Sequence, residues 1–107
     1  MDRQLTGKIA VVTGGTRGSG KAIARSLAGE GMDVAIIGRD LEAAKATASE
    51  IAGETGRTIR AYSADTGKDD AVRAAVAAIH KDFGRIDVLV NSAAQPSGQA
   101  KPPSLSE

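Results

Sequence analysis

Thr13-Gly14-Gly15-Thr16-Arg17-Gly18-Ser19-Gly20 is a glycine-rich turn set between an apolar run and a helical pattern. Glycine suits a sharp strand-to-helix reversal and lets backbone come close to a ligand. The helix beyond presents unsatisfied N–H groups and a partial positive charge at its first turn, which favours a phosphate. These residues imply a pyrophosphate cradle, with Gly14, Thr16, Gly18, Ser19 and Gly20 facing the ligand. For the turn alone, simple chain reversal is the competing reading.

Three further groups bear on the same ligand. Asn91-Ser92-Ala93-Ala94 follows a later apolar run, and its small side chains admit a ribose or phosphate close to the backbone. Asn91 can brace neighbouring strands. Asp65-Thr66 closes another run, where the Asp65 carboxylate can accept from an adenine amino group with Thr66 packing beside it. In isolation each of these reads as an ordinary turn. The third group is Gly38-Arg39. A fold that prefers NAD usually places Asp or Glu there to bind the ribose 2′-hydroxyl. Here glycine removes the carboxylate, and Arg39 offers a fork of donors to a 2′-phosphate. Arg17 would stand near the same ribose. Singly, both arginines read as solvated surface residues. Together with Gly38 they point to NADP(H) rather than NAD(H).

The elements that must position these groups alternate regularly. Residues 8–13, 33–38, 58–64 and 86–90 are short apolar or β-branched runs bounded by turn residues, which predicts strands. Residues 18–28 place Ile23 and Leu27 four apart among helix formers, and Gly29 and Gly31 stop the pattern. Asp40 caps a helix predicted to about residue 51, with Leu41, Ala44, Ala48 and Ile51 on one shallow face. A third helix spans about 69–82, with Val72, Val76, Ile79 and Phe83 on its stripe and Gly84 at its end. Strands separated by such helices imply parallel β-α-β units with right-handed crossovers. The fold class is α/β: a Rossmann-like, doubly wound parallel sheet of four strands and three helices, its first half only. Its ligand crevice falls between strands one and four, where strand order reverses. Handedness puts the first two helices on one face and the third on the other.

Composition excludes several other classes. The chain has 107 residues, 20 of them alanine and 13 glycine, with aromatics at 2%. That mixture suits tight helix–sheet packing and gives no stacking surface for bases. Fourteen basic against 13 acidic residues leave +1, so no strong field draws the chain to nucleic acid or an anionic membrane. Zero cysteines and one histidine exclude a disulfide framework and a thiolate metal site. The longest apolar run, residues 74–79, is far short of a membrane span. The first four residues lack the apolar core of a signal peptide, so the expected location is cytoplasmic.

The residues resemble the short-chain dehydrogenase/reductase family over essentially the whole chain. Thr13, Gly14, Gly18 and Gly20 match every fixed position of its T-G-x-x-x-G-x-G signature, with Ser19 where an apolar residue is usual. The N-N-A-G motif occurs as Asn91-Ser92-Ala93-Ala94, matching at Asn91 and Ala93. Asp65 matches the acidic residue after strand three. Residues 6–14 and 84–91 are similar to the family too. The resemblance implies an NAD(P)(H)-dependent oxidoreductase that moves hydride between the nicotinamide and an alcohol or carbonyl substrate. It also implies a homodimer or homotetramer for a full-length form.

The family's acid/base tyrosine belongs to a Y-x-x-x-K motif. The single tyrosine here is Tyr62, with Thr66 four residues on, so no catalytic residue carries over. His80, the sole imidazole, is expected on an exposed helix face without a function. Ser104 to Glu107 has the spacing of a capping box, which announces a further helix. The expectation is therefore that residues 1–107 form an NAD(P)-binding segment, an incomplete domain without its catalytic half. A nucleotide-binding module without catalysis and an inactive truncated product are the alternatives.

Overall fold

Ile9–Thr13 (β1) carries apolar side chains without alternation, as a strand covered on both faces requires, and all five of its residues are buried. The computed structural model describes residues 5–14, 18–65 and 67–92, and of Ser19 only the backbone. The other strands are Asp33–Gly38 (β2), Ile59–Ser63 (β3) and Val88–Asn91 (β4). The helices are Gly18–Gly29 (α1), Leu41–Thr55 (α2) and Asp69–Phe83 (α3). All strand pairings are parallel, in the order β3-β2-β1-β4. The chain thus builds outward from β1 to β3, then crosses back to lay β4 on the other side of β1. This is the doubly wound arrangement expected, with its switch point between β1 and β4.

The two faces are covered as handedness dictates. Ala24 and Ala28 of α1 and Ala44, Ala48 and Ile51 of α2 pack on Ala10, Val12, Val34 and Ile36. On the opposite face, Ala75 and Ile79 of α3 pack on Val11, Ala35 and Ile37. Alanine at these contacts lets the helices sit close to the sheet. β4 carries less cover: Leu89 stands opposite Val11 and is 58% exposed.

Two boundaries differ from the sequence expectation by more than one residue. α2 continues past Ile51 through Gly53 to Thr55, and the Gly56 N–H closes it on the Ala52 carbonyl at 2.8 Å. Gly53 costs about 1 kcal/mol relative to alanine in a helix interior. An ion-pair network opposes that cost, with Lys21 and Arg25 of α1 gripping Glu50 at 3.0 and 2.7 Å and Arg25 reaching Glu54 at 2.7 Å. Each exposed pair contributes little alone, but together they tie the last turn of α2 to α1. The apolar stripe ends at Ile51, so periodicity alone could not reach it.

β4 starts at Val88 because Asp87 is used differently. Its Oδ2 accepts the Ile9 N–H at 2.8 Å while its own N–H bonds the Ile9 carbonyl at 2.9 Å. A side chain thus completes the ladder where backbone pairing stops. The Ile9 N–H, helped by Arg85 at 2.9 Å, holds the Asp87 carboxyl below its ordinary value. A depressed folded-state value contributes stability above the unfolded value and loses it as pH falls through the folded one. Thermal melts between pH 2 and 7 should therefore show Asp87→Ala less stable than wild type at neutral pH. The difference should shrink as pH drops below about 4.

Candidate functional site

The site begins where β1 ends. Thr13 is buried, and its Oγ1 shares its single proton between Asn91 Oδ1 at 3.0 Å and the Val90 carbonyl at 3.3 Å. The Thr13 carbonyl accepts from the Ser92 hydroxyl at 2.7 Å and the Ser92 N–H at 3.2 Å. The carboxyl ends of β1 and β4 are therefore laced together by side chains at the switch point. The bracing role expected of Asn91 has its geometry here. Ser92, expected to contribute only smallness, also donates a hydrogen bond; its hydroxyl was the available signal.

Gly14 turns the chain out of the sheet at φ 73°, a conformation side-chain-bearing residues rarely adopt, with its N–H on the Ile37 carbonyl at 2.7 Å. α1 then starts at Gly18 with no acidic residue in its first turn, so its positive end is not neutralised from within. Gly20 is buried, and a Cβ built on it would collide with the Gly14 carbonyl and lie 2.6 Å from Ser92 Oγ. Gly14, Gly20 and Ser92 thus meet at one place. Thr16, Arg17, Thr66, Ala93, Ala94 and the Ser19 side chain lie outside the described residues.

The second rim is formed by the ends of β2 and β3, whose register pairs Gly38 with Ser63. Gly38 is buried and Arg39 emerges, its side chain 70% exposed. Arg39 Nη2 lies 3.2 Å from Asp65 Oδ1, and the same oxygen accepts the Gly67 N–H at 2.9 Å. The Ser63 hydroxyl donates to the Arg39 carbonyl at 3.3 Å. Sequence reasoning gave Arg39 and Asp65 separate partners; the structure joins them. Gly38 and Ser63 pair at the strand ends, so Arg39 and Asp65 stand one and two residues beyond the same pair, a register that the linear sequence does not contain.

The remaining polar candidates lie elsewhere. The Tyr62 hydroxyl donates to Asp82 at 2.8 Å. Burial first, then this hydrogen bond, push Tyr62 up to about 12. An acid/base tyrosine needs the opposite shift. An ultraviolet titration should place the tyrosinate midpoint well above the usual value near 10, and Tyr62→Phe should lose the associated stability. That contribution is complete below about pH 10 and disappears as pH rises through the folded value. His80 is exposed on α3, as anticipated. Among the described residues no three acidic or histidine side chains cluster to hold a metal, and no helix is long and apolar enough to cross a membrane.

The glycine turn, the switch point and the doubly wound sheet together define a dinucleotide-binding class of fold. The family described as short chain dehydrogenase matches residues 8–106, and the chain belongs to that family. It is 41% identical over 92 residues to a D-threitol dehydrogenase of Mycolicibacterium smegmatis, covering 86% of this chain and 35% of that one. L-sorbose reductase from Gluconobacter frateurii, solved with NADPH and L-sorbose, superposes with a TM-score of 0.85 at 30% identity, over 98% of this chain and 40% of that one. An NAD+-bound xylitol dehydrogenase superposes at 0.74 and 34% identity, over 80% of this chain and 33% of that one. The chain thus spans between a third and two-fifths of the length of these relatives.

Proposed function

We propose that this chain is the cofactor-binding segment of an NADP(H)-dependent oxidoreductase acting on an alcohol or carbonyl substrate. The observation that carries the proposal is the convergence of Gly14, Gly20 and Ser92 at the β1–β4 switch point, where a Cβ at position 20 has no room. Such a surface lets a pyrophosphate approach backbone, and the first turn of α1 supplies N–H donors and positive potential. Gly14, Thr16, Gly18, Ser19 and Gly20 line the pyrophosphate, with Asn91, Ala93 and Ala94 at the ribose side. Asp65 and Thr66 face the adenine. When bound, the nicotinamide supplies hydride transfer. The chain's own residues bind and orient the cofactor.

Relatives solved with NADPH and with NAD+ both share this fold, so cofactor choice rests on this chain's residues. Gly38 presents no carboxylate to a 2′-phosphate, and the exposed Arg39, with Arg17, offers donors to it. Tyr62, the single tyrosine of the chain, donates to Asp82 and is pushed up to about 12, opposite to the shift an acid/base tyrosine needs. Parallel fluorescence titrations with NADPH and NADH test the reading. Tighter binding of NADPH without turnover is the expected result. Equal affinity for the two would refute the cofactor assignment, and no binding of either would refute the site.

A further inference from the structure

Resting on the NADP(H) reading, a second role emerges at the rim of the site. We infer that Asp65 is a positioning residue for Arg39, and so contributes to preference for the 2′-phosphorylated dinucleotide over the unphosphorylated one. Arg39 is the residue most exposed to losing its geometry: its side chain is 70% exposed, and an arginine free in solvent spreads over many rotamers. Asp65 restrains it. The carboxylate is itself fixed, because Oδ1 accepts the Gly67 N–H at 2.9 Å while the Asp65 carbonyl accepts the Lys68 N–H at 2.9 Å. Arg39 Nη2 rests on that anchored oxygen at 3.2 Å.

Gly67 makes room for the contact. A Cβ there would stand 3.2 Å from Arg39 Nη2 and 3.3 Å from Asp65 Oδ1, closer than either neighbour tolerates comfortably. The guanidinium carries five donors, so one resting on Asp65 leaves others for a phosphate. Both partners are substantially exposed, and salt screens the repulsion between the Asp65 carboxylate and an incoming phosphate. On this inference, ordering of Arg39 outweighs the screened repulsion.

The test is the ratio of NADPH to NADH affinity, measured by fluorescence titration on the chain and its variants. Asp65→Ala should lower the NADPH preference about three- to fivefold, the scale of an exposed charge pair. Asp65→Asn keeps an oxygen for Arg39 and Gly67 and should restore most of it. In an Arg39→Ala background, Asp65→Ala should leave the ratio unchanged. An Asp65 that acts only structurally, or only on the adenine, would instead weaken both nucleotides equally and leave the ratio unchanged, which overturns the inference, as does tighter NADPH binding in Asp65→Ala. Wild-type chain without NADPH preference, or Arg39→Ala that keeps it, removes the underlying NADP(H) reading and the inference with it. A wild-type preference that Arg39→Ala abolishes and Asp65→Ala leaves intact removes the inference alone.

Discussion

Gly20→Val is expected to weaken dinucleotide binding by an order of magnitude or more and to lower the thermal midpoint of the chain. Position 20 has the Gly14 carbonyl on one side and Ser92 Oγ on the other, the latter 2.6 Å from where a Cβ would sit. Neither neighbour can yield cheaply. The Gly14 carbonyl belongs to a turn whose N–H is tied to Ile37, and the Ser92 hydroxyl donates to Thr13 at 2.7 Å. Overpacking of this kind costs typically 1–3 kcal/mol and moves backbone. The backbone moved is the surface proposed to hold the pyrophosphate, so affinity should fall by roughly 10- to 100-fold or more. Gly20→Ala should show the same effect more mildly. Gly29→Ala is the control, because nothing lies within 4 Å of its Cβ position at the end of α1. It should bind as wild type does in the same NADPH titration, with an unchanged or raised melting midpoint.

The second large effect is Arg39→Asp, which should weaken NADPH by roughly 1.5–3 kcal/mol, the usual worth of hydrogen bonds to charged groups. The structure adds a reason for the size. Arg39 faces Asp65 at 3.2 Å, so the substitution also replaces an ion pair by two neighbouring carboxylates beside the proposed ribose position. A 2′-phosphate is repelled by both, whereas a 2′-hydroxyl can donate to either. NADH affinity should hold or rise while NADPH affinity falls, and paired titrations read both.

The order of elements was legible because apolar runs and glycine stops alternate without ambiguity. Every strand and helix predicted from residues 8–90 is present, and α1, α2 and α3 sit on the faces that right-handed crossovers require. Periodicity failed where side chains, rather than an apolar stripe, set the boundary. Arg25 and Glu54 extend α2 beyond Ile51, and Asp87 substitutes for strand backbone before Val88. At the candidate site the glycines were legible: Gly14 takes a positive φ that favours glycine, and Gly20 has no room for a Cβ. What sequence could not supply was the pairing across strands. That Ser92 closes on Thr13, and Arg39 on Asp65, follows from parallel register, which a linear reading does not contain.

Nuclear magnetic resonance mapping of the amides during an NADPH titration locates the cofactor on the sheet. Saturable shifts should concentrate at Gly14, Gly18, Gly20, Arg39, Asp65 and Ser92, at the carboxyl ends of the strands. Shifts confined to the opposite end of the sheet, around Gly31 and Asp87, or none at saturating nucleotide, would contradict the proposed site.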